Sequence, residues 1–290
     1  MLRGMARKTR IAIVGAGNLG AALAVSLHAA GYVIDAIISR AGGKSRARAV
    51  ALGRRLGVPV LGDLSGSRAN VVWFCVPDSA IGAVARATSQ AFEWKGKVAL
   101  HSSGALTSDE LGSLRRRGAK VASVHPLMTF VRGSRPDLNG VSFAIEGDTL
   151  AVRAARGIVK GLGGHSYAIR KKDKAAYHAW GTFASPLVTA LLATTERVAV
   201  AAGAKPTEVA QRMMPILRQT LANYEKVGAA AGFSGPIVRG DVETVRRHLR
   251  SLRRVPAARE VYVALASAAL QYLPTKDRRS LKRLLDSSRD

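Results

Sequence analysis

The chain has 290 residues, of which 48% are hydrophobic, so it is long enough for two domains and too apolar for a disordered protein. It carries 45 Lys and Arg against 19 Asp and Glu, a formal charge of +26, which makes nucleic acid a partner to consider. These basic residues are spread over most predicted helices, and only 5% of residues are aromatic, so nucleic acid is not the expected partner. No apolar run reaches the roughly 18 residues of a membrane span. We expect a cytoplasmic protein with no membrane partner.

The first half of the chain alternates apolar runs with helical patterns. The runs are "RIAIVGAG", "YVIDAIISR", "VPVLGD", "NVVWFCVP", "KVALHSSG", "AKVASVHPL", "VSFAIEG" and "HSYAIR". Continuous Val, Ile and Ala are typical of parallel strands that are covered on both faces. The pattern predicts an α/β protein with a doubly wound Rossmann sheet.

Helical patterns alone fill the sequence after about residue 170. The stretch that begins "KDKAAYHAW" predicts one long helix, bent at Pro186, and further helices follow. We therefore predict a Rossmann-like domain over residues 1–170 and an all-helical C-terminal domain over residues 171–290.

The glycine motif G-x-G-x-x-G stands between the first predicted strand and the first predicted helix. In this position the three glycines permit a tight turn, close approach of a pyrophosphate, and close helix–strand packing. A purely structural turn is the alternative, but the strand–loop–helix context favours dinucleotide binding. The residues assigned to the cofactor here are Gly15, Ala16, Gly17, Asn18, Leu19 and Gly20.

The second strand ends in Ser39 and Arg40, where an NAD-binding fold normally has an acidic residue. A hydroxyl and a guanidinium suit the 2′-phosphate of NADP(H), and Lys44 and Arg46 follow nearby. The alternative is an ordinary surface arginine in an arginine-rich protein. NADP(H) is therefore the predicted cofactor.

Three further predicted strands end in polar or turn-forming residues, at the edge where open α/β sheets bind ligands. Val76 and Pro77 are assigned to the cofactor, and Asp78 is expected to cap the next helix. Ser102, Ser103 and His125 are the candidate substrate contacts. Pro126 holds His125 extended, so its side chain can point into the cleft, and structural anchoring is the alternative role.

The remaining sequence gives no sign of a metal site. The histidines lack ligand-pair spacing with nearby acids, and the single cysteine, Cys75, lies in an apolar run as a buried filler. No metal is expected.

The motifs together resemble a known group of proteins. "GAGNLGAAL", "ISR", "VPD", "HSSGAL", "VHPL", "KAAYHAW" and "GPIVRGD" resemble two-domain NADP oxidoreductases made of a Rossmann-like domain and a C-terminal domain of unknown function. That group is similar to pyrroline-5-carboxylate reductases, β-hydroxyacid dehydrogenases and 6-phosphogluconate dehydrogenases. The resemblance implies a homodimer that pairs through the helical domain.

The resemblance also implies a catalytic acid. Lys174 matches the catalytic lysine of β-hydroxyacid dehydrogenases, and His178 stands where those enzymes carry an asparagine. The two side chains are four residues apart and so share one face of a helix. A solvated first turn is the alternative. Arg239, in "GPIVRGD", is a candidate for binding a substrate carboxylate, for capping a helix or for contacting a second subunit.

We therefore expect an NADP(H)-dependent oxidoreductase that acts on a small carbonyl or imine, with a 2-keto or hydroxy acid as one candidate. A non-catalytic NADP-binding sensor or scaffold and a nucleic-acid-binding protein are the alternatives. The sensor alternative rests on the asparagine missing at His178 and the proline, Pro186, that follows "FAS".

Overall fold

The computed structural model describes residues 9–134 and 136–288, and packing divides the chain into two compact units. The first unit ends at Phe183 and the second begins at Ala184. The packing thus keeps the helix that begins at Lys174 with the first unit. The domain assignment with its boundary at residue 170 stays a prediction.

A single sheet of eight strands forms the centre of the first unit. The strands are β1 (Arg10–Val14), β2 (Val33–Ile38), β3 (Val60–Leu61), β4 (Val71–Phe74), β5 (Val98–His101), β6 (Lys120–Pro126), β7 (Ser142–Gly147) and β8 (His165–Ala168). Their order is β3-β2-β1-β4-β5-β6-β7-β8. The strands pair in parallel except β6 and β7, which are antiparallel. The predicted doubly wound sheet is confirmed, with this one antiparallel pair as its exception.

Among the residues of the first unit that the structure describes, six α-helices accompany this sheet. They are α1 (Asn18–Ala29), α2 (Gly43–Leu56), α3 (Asp78–Thr88), α4 (Gly112–Arg116), α5 (Thr149–Gly161) and α6 (Lys174–Ala184). The sequence patterns above name no helix between "VSFAIEG" and "HSYAIR", yet α5 lies there. It is the crossover that a parallel connection from β7 to β8 requires.

The sheet is buried on both faces, which explains the continuous apolar runs of its strands. Along β1, Ile11 and Ile13 belong to one apolar core, whereas Ala12 and Val14 belong to the other. Successive side chains of a strand point to opposite faces, so a strand with helices on both sides needs apolar residues at every position.

The described part of the second unit is helical throughout, as predicted. Its helices are α7 (Pro186–Ala201), α8 (Pro206–Gly232), α9 (Pro236–Arg239), α10 (Val242–Ser251), α11 (Pro256–Tyr272) and α12 (Arg278–Asp286). Helices α10, α11 and α12 share an apolar core that includes Val245, Leu249, Val263, Leu270 and Leu281. In the part of the chain that the structure describes, no helix combines the length and apolarity needed to cross a bilayer.

Proline and glycine set the breaks between these helices. The predicted single helix is two helices, because Ser185 leaves helical geometry (φ −133°) and Pro186 begins α7. The motif "GPIVRGD" forms the short helix α9, which Gly240 ends in the left-handed region (φ 71°). Asp241 then caps α10 by accepting a hydrogen bond from the Thr244 amide. Local backbone signals therefore explain most of this motif.

Candidate functional site

The glycine loop between β1 and α1 is closely packed at two of its three glycines. Gly15 has φ +99°, and a methyl group on it would lie 2.7 Å from the Cys75 carbonyl oxygen. A methyl group on Gly20 would lie 2.0 Å from the Gly15 carbonyl oxygen. Gly17 differs, since its nearest protein atom would be the Cys75 oxygen at 4.0 Å. Two glycines are therefore required by packing, and the third faces open space.

The N-terminus of α1 adjoins this open space. Gly17 is its N-cap residue and supplies no side-chain cap, so the first amides of α1 lack the acceptor that a capping side chain gives. The Asn18 side chain donates instead to the Phe130 carbonyl, at 3.0 Å. Free amides at the positive end of a helix dipole are suited to bind a phosphate.

Two arginines near the end of β2 differ in whether the protein already binds their guanidinium groups. The Arg46 guanidinium donates to the carbonyl oxygens of Ser39, Leu61 and Val60 at 3.0 to 3.1 Å. Arg46 thus satisfies strand ends and is not free to hold a ligand. Arg40 is exposed, and none of the described acidic residues forms an ion pair with it. Ser39 is buried beside it.

Asp35 is engaged inside the sheet, away from the end of β2. It accepts hydrogen bonds from the Arg10 guanidinium, the Ser67 hydroxyl and the Arg68 amide. This carboxylate is therefore unavailable to a ribose, in agreement with its early position in the strand.

The residues after β4 lie against the glycine loop and against the loop after β5. A Val76 methyl carbon would be 3.0 Å from a methyl group on Gly15. Pro77 precedes α3, and Asp78 is the first residue of that helix. The expectation that Asp78 caps α3 is wrong: its carboxylate accepts a hydrogen bond from the Ser103 hydroxyl at 2.6 Å.

The two serines after β5 already have protein partners. The Ser102 hydroxyl oxygen accepts a hydrogen bond from the Trp73 indole N–H at 2.8 Å. The Ser103 hydroxyl donates to Asp78 and accepts from the Leu106 amide at 2.8 Å. Both side chains are buried. Their predicted contact with substrate stays a prediction, which would have to compete with these bonds.

Lys174 is completely buried, with 0% of its surface exposed. Its ammonium donates to the Ser103 carbonyl oxygen at 3.0 Å and to the Ser123 hydroxyl oxygen at 2.7 Å. Burial lowers the pKa of Lys174 to about 8, and the negative charges of Glu146 and Asp78 oppose that shift. The lysine thus joins α6 to β6 and to the loop after β5.

Three rings meet above Gly104. Nδ1 of His125 is 2.7 Å from the Tyr177 hydroxyl, and the ring of His178 lies 6.1 Å from that of His125, centroid to centroid. A methyl group on Gly104 would lie 2.5 Å from Cδ2 of His178 and 2.9 Å from Nε2 of His125. The glycine of "HSSGAL" therefore makes room for both imidazoles.

The structure thus brings Ser103 and His125 together with Lys174 and His178, a pair that the sequence already placed on one helix face. It adds Asp78, Ser123 and Tyr177, which the sequence analysis did not assign to the site. Tyr177 is three residues after Lys174 and so shares its helix face, a signal that helical spacing contains.

Arg239 is exposed at the end of α9 in the second unit, and its role stays a prediction. Among residues 9–134 and 136–288, no three His, Cys, Asp or Glu side chains are placed to hold a metal ion.

Two family models match different parts of the chain. Residues 4–126 match the Rossmann-like domain family, and residues 141–269 match a domain of unknown function, DUF2520. No curated protein matches the chain in sequence.

Three solved structures illustrate the shared fold. A provisionally assigned NADP oxidoreductase of Bacteroides fragilis is 20% identical, with a TM-score of 0.75 over 92% of this chain and 98% of that one. An imine reductase from Myxococcus stipitatus, in complex with NADP⁺, is 15% identical, with a TM-score of 0.64 over 97% and 100%. A pyrroline-5-carboxylate reductase from Coxiella burnetii is 13% identical, with a TM-score of 0.59 over 97% of each chain. The chain thus shares its fold with these structures, and its two halves match the models of a Rossmann-like domain and of DUF2520.

Proposed function

We propose that this chain is an NADP(H)-dependent oxidoreductase that reduces a small carbonyl or imine. The observation that carries the proposal is the glycine loop, in which packing requires Gly15 and Gly20 whereas Gly17 faces open space at the start of α1. That arrangement leaves room for a pyrophosphate against uncapped amides. The structural neighbours that bind NADP⁺ lend further support.

The reaction proposed is a hydride transfer. Held by the amides at the start of α1 and by Arg40, NADPH would supply the hydride that reduces the carbon of a C=O or C=N group. The electron pair of the double bond moves to the oxygen or nitrogen, which takes one proton. The polar cluster at the carboxyl ends of β5 and β6 is the proposed source of that proton. The test is oxidation of NADPH, followed by absorbance, across a panel of small keto acids, ketones and cyclic imines; no oxidation with any member would contradict the proposal.

The preference for NADP(H) leads to a prediction at the end of β2. Arg40→Ala should weaken NADPH binding about tenfold to 100-fold, because a charge-assisted hydrogen bond to the 2′-phosphate is lost. NADH binding should be unchanged, since NADH lacks that phosphate. Calorimetric titration of both nucleotides measures the difference. Arg54→Ala, which removes an exposed arginine in the last turn of α2, is the matched control. Equal weakening of both nucleotides by Arg40→Ala would refute the phosphate contact.

We also propose that the protein is a homodimer that associates through α8. Along α8, which leaves helical geometry at Gly228 (φ 76°), only Val209 is buried, whereas Ile216 (68% exposed), Leu221 (69%) and Tyr224 (62%) project their side chains into solvent. Contiguous large apolar side chains at a surface mark an interaction site.

The dimer should have a mass of about twice the 30.6 kDa of one chain, measured by light scattering after size exclusion. Ile216→Glu combined with Leu221→Glu should give monomers, because burying the two carboxylates of each chain at the interface would cost more free energy than the dimer contact provides. Arg153→Glu, which changes the charge by the same two units at an exposed position of α5, should remain dimeric. A wild-type monomer at micromolar concentration would contradict the proposed dimer.

A further inference from the structure

The polar atoms of the candidate site are mostly engaged by the protein itself. The Ser102 hydroxyl binds the Trp73 indole, and the Ser103 hydroxyl binds Asp78. The Lys174 ammonium donates to two oxygens and has no exposed surface. Groups with these bonds are held in place and would have to break a bond before they could reach a ligand.

His101 is also fully engaged. Its Nδ1 accepts a hydrogen bond from the Ser103 amide, and its Nε2 lies 3.0 Å from the Thr107 carbonyl oxygen. An amide can only donate and a carbonyl can only accept, so the proton is on Nε2. This imidazole is a neutral core histidine.

His125 has one nitrogen held and the other free. Its Nδ1 is 2.7 Å from the Tyr177 hydroxyl, whereas Nε2 has no hydrogen-bonding partner among the described residues. The imidazole is half-buried, and a ligand that binds Nε2 displaces no protein hydrogen bond.

Tyr177 selects the tautomer of this imidazole. Burial raises the pKa of the Tyr177 hydroxyl well above its usual range, so the phenol keeps its proton. The Tyr167 hydroxyl also lies near this phenol and contributes to the raised pKa, but only His125 Nδ1, at 2.7 Å, and the His125 carbonyl oxygen, at 3.4 Å, meet hydrogen-bond geometry with it. The shorter bond favours donation to Nδ1, which leaves the ring proton on Nε2.

We propose that His125, as a neutral imidazole oriented by Tyr177, donates from Nε2 to the reacting oxygen or nitrogen, and that Lys174 is a positioning residue. The inference rests on the proposed function and assigns its proton donor. As the hydride reaches the carbon, the Nε2 proton passes to the oxygen or nitrogen. The imidazolate left behind accepts the hydrogen bond of the Tyr177 phenol at Nδ1 and regains its Nε2 proton from water, which restores the starting tautomer. Each turnover consumes one NADPH and one proton from solvent, and it forms one C–H bond together with one O–H or N–H bond.

The surroundings keep this imidazole neutral. Burial lowers the pKa of His125 to about 4, and the Lys174 ammonium and His178 act in the same direction. Asp78 opposes the shift, and His101 adds to it. A neutral imidazole still acts as an electrophile, because its N–H polarises a carbonyl.

Lys174 holds in place the backbone that lies under the His125 ring. It ties the Ser103 carbonyl, which directly precedes Gly104, to Ser123, two residues before His125. The bare Cα of Gly104 then lies beneath Nε2. Lys174 therefore holds the loop and the strand that set the position of the imidazole.

The kinetic test uses NADPH oxidation by wild type, His125→Gln, Tyr177→Phe and the double variant. His125→Gln should lower kcat about 100-fold or more, and Tyr177→Phe about tenfold, with NADPH affinity retained. The double variant should be no slower than His125→Gln, because Tyr177 acts through the imidazole. Tyr32→Phe, which loses a hydrogen bond to the Gly157 carbonyl elsewhere in the first unit, is the matched control.

A second measurement does not depend on turnover. Nitrogen NMR of histidine-labelled protein, assigned with His125→Gln, should show a neutral Nε2–H tautomer from pH 6 to 8, and Tyr177→Phe should disturb it. An Nδ1–H tautomer or an imidazolium at pH 7 overturns the proposal whatever the rates are. If wild type fails to oxidise NADPH with every member of the substrate panel, the proposed function fails and this inference fails with it. If wild type is active and His125→Gln is equally fast, this inference alone fails.

Discussion

Gly17→Ala should greatly weaken NADPH binding and leave the fold intact, whereas Gly20→Ala should lower both the affinity for NADPH and the stability of the fold. A methyl group on Gly17 meets no protein atom closer than 4.0 Å, and its φ of −68° suits alanine. The free energy of unfolding should therefore change by less than about 1 kcal/mol. The same methyl group would stand where a pyrophosphate approaches the amides of α1, so affinity should fall on the order of 100-fold.

Gly20→Ala is the matched variant, in which the added methyl group should clash with the protein itself rather than with the nucleotide. Its methyl group would lie 2.0 Å from the Gly15 carbonyl oxygen and 2.9 Å from Cβ of Cys75, so the loop must move. We expect a loss of about 2 to 3 kcal/mol in the free energy of unfolding, together with weaker NADPH binding. Urea unfolding and calorimetric titration of both variants separate the two effects. Wild-type NADPH affinity in a stable Gly17→Ala protein would show that the open space is not a nucleotide site.

Much of the α/β architecture could be predicted because local patterns dominate it. The continuous apolar runs of β1 and β4 indicate strands with helices on both faces, and the glycine spacing marks the turn into α1. The antiparallel pairing of β6 and β7 could not be read in the same way. Whether two strands pair in parallel depends on how they meet in the folded chain. A buried strand can have the same composition in a parallel and in an antiparallel pair.

The candidate site shows the same division between local and long-range information. Helical spacing placed Lys174 and His178 on one face, but it could not show that Lys174 has 0% exposure beneath β5 and β6. That burial depends on Ser103 and Ser123, which are 71 and 51 residues away in the chain. The role of Asp78 likewise depends on Ser103, 25 residues later, rather than on the helix that it begins.

The buried charge of Lys174 has a consequence for stability that depends on pH. Its pKa is about 8 in the folded chain against an ordinary value of 10.5, so the unfolded chain binds more protons between these values. The free energy of unfolding should therefore rise as pH rises from about 8 to 10.5, by about 3 kcal/mol from this group. Below pH 8 the lysine is protonated in both states, and the full cost of the buried ammonium is present.

Lys174→Met should remove this dependence, because methionine fills similar space without a charge. The variant should match or exceed the stability of wild type at pH 7, and this advantage should shrink as pH approaches 10. The Ser123 hydroxyl still donates to the Ser103 carbonyl at 3.2 Å, so that oxygen is not left without a partner. Lys172→Met, which removes an exposed charge from the same segment, should follow wild type at every pH. Urea unfolding at intervals from pH 7 to 10 gives the difference curves, and a constant difference between Lys174→Met and wild type would mean that the ammonium is not buried as the structure shows.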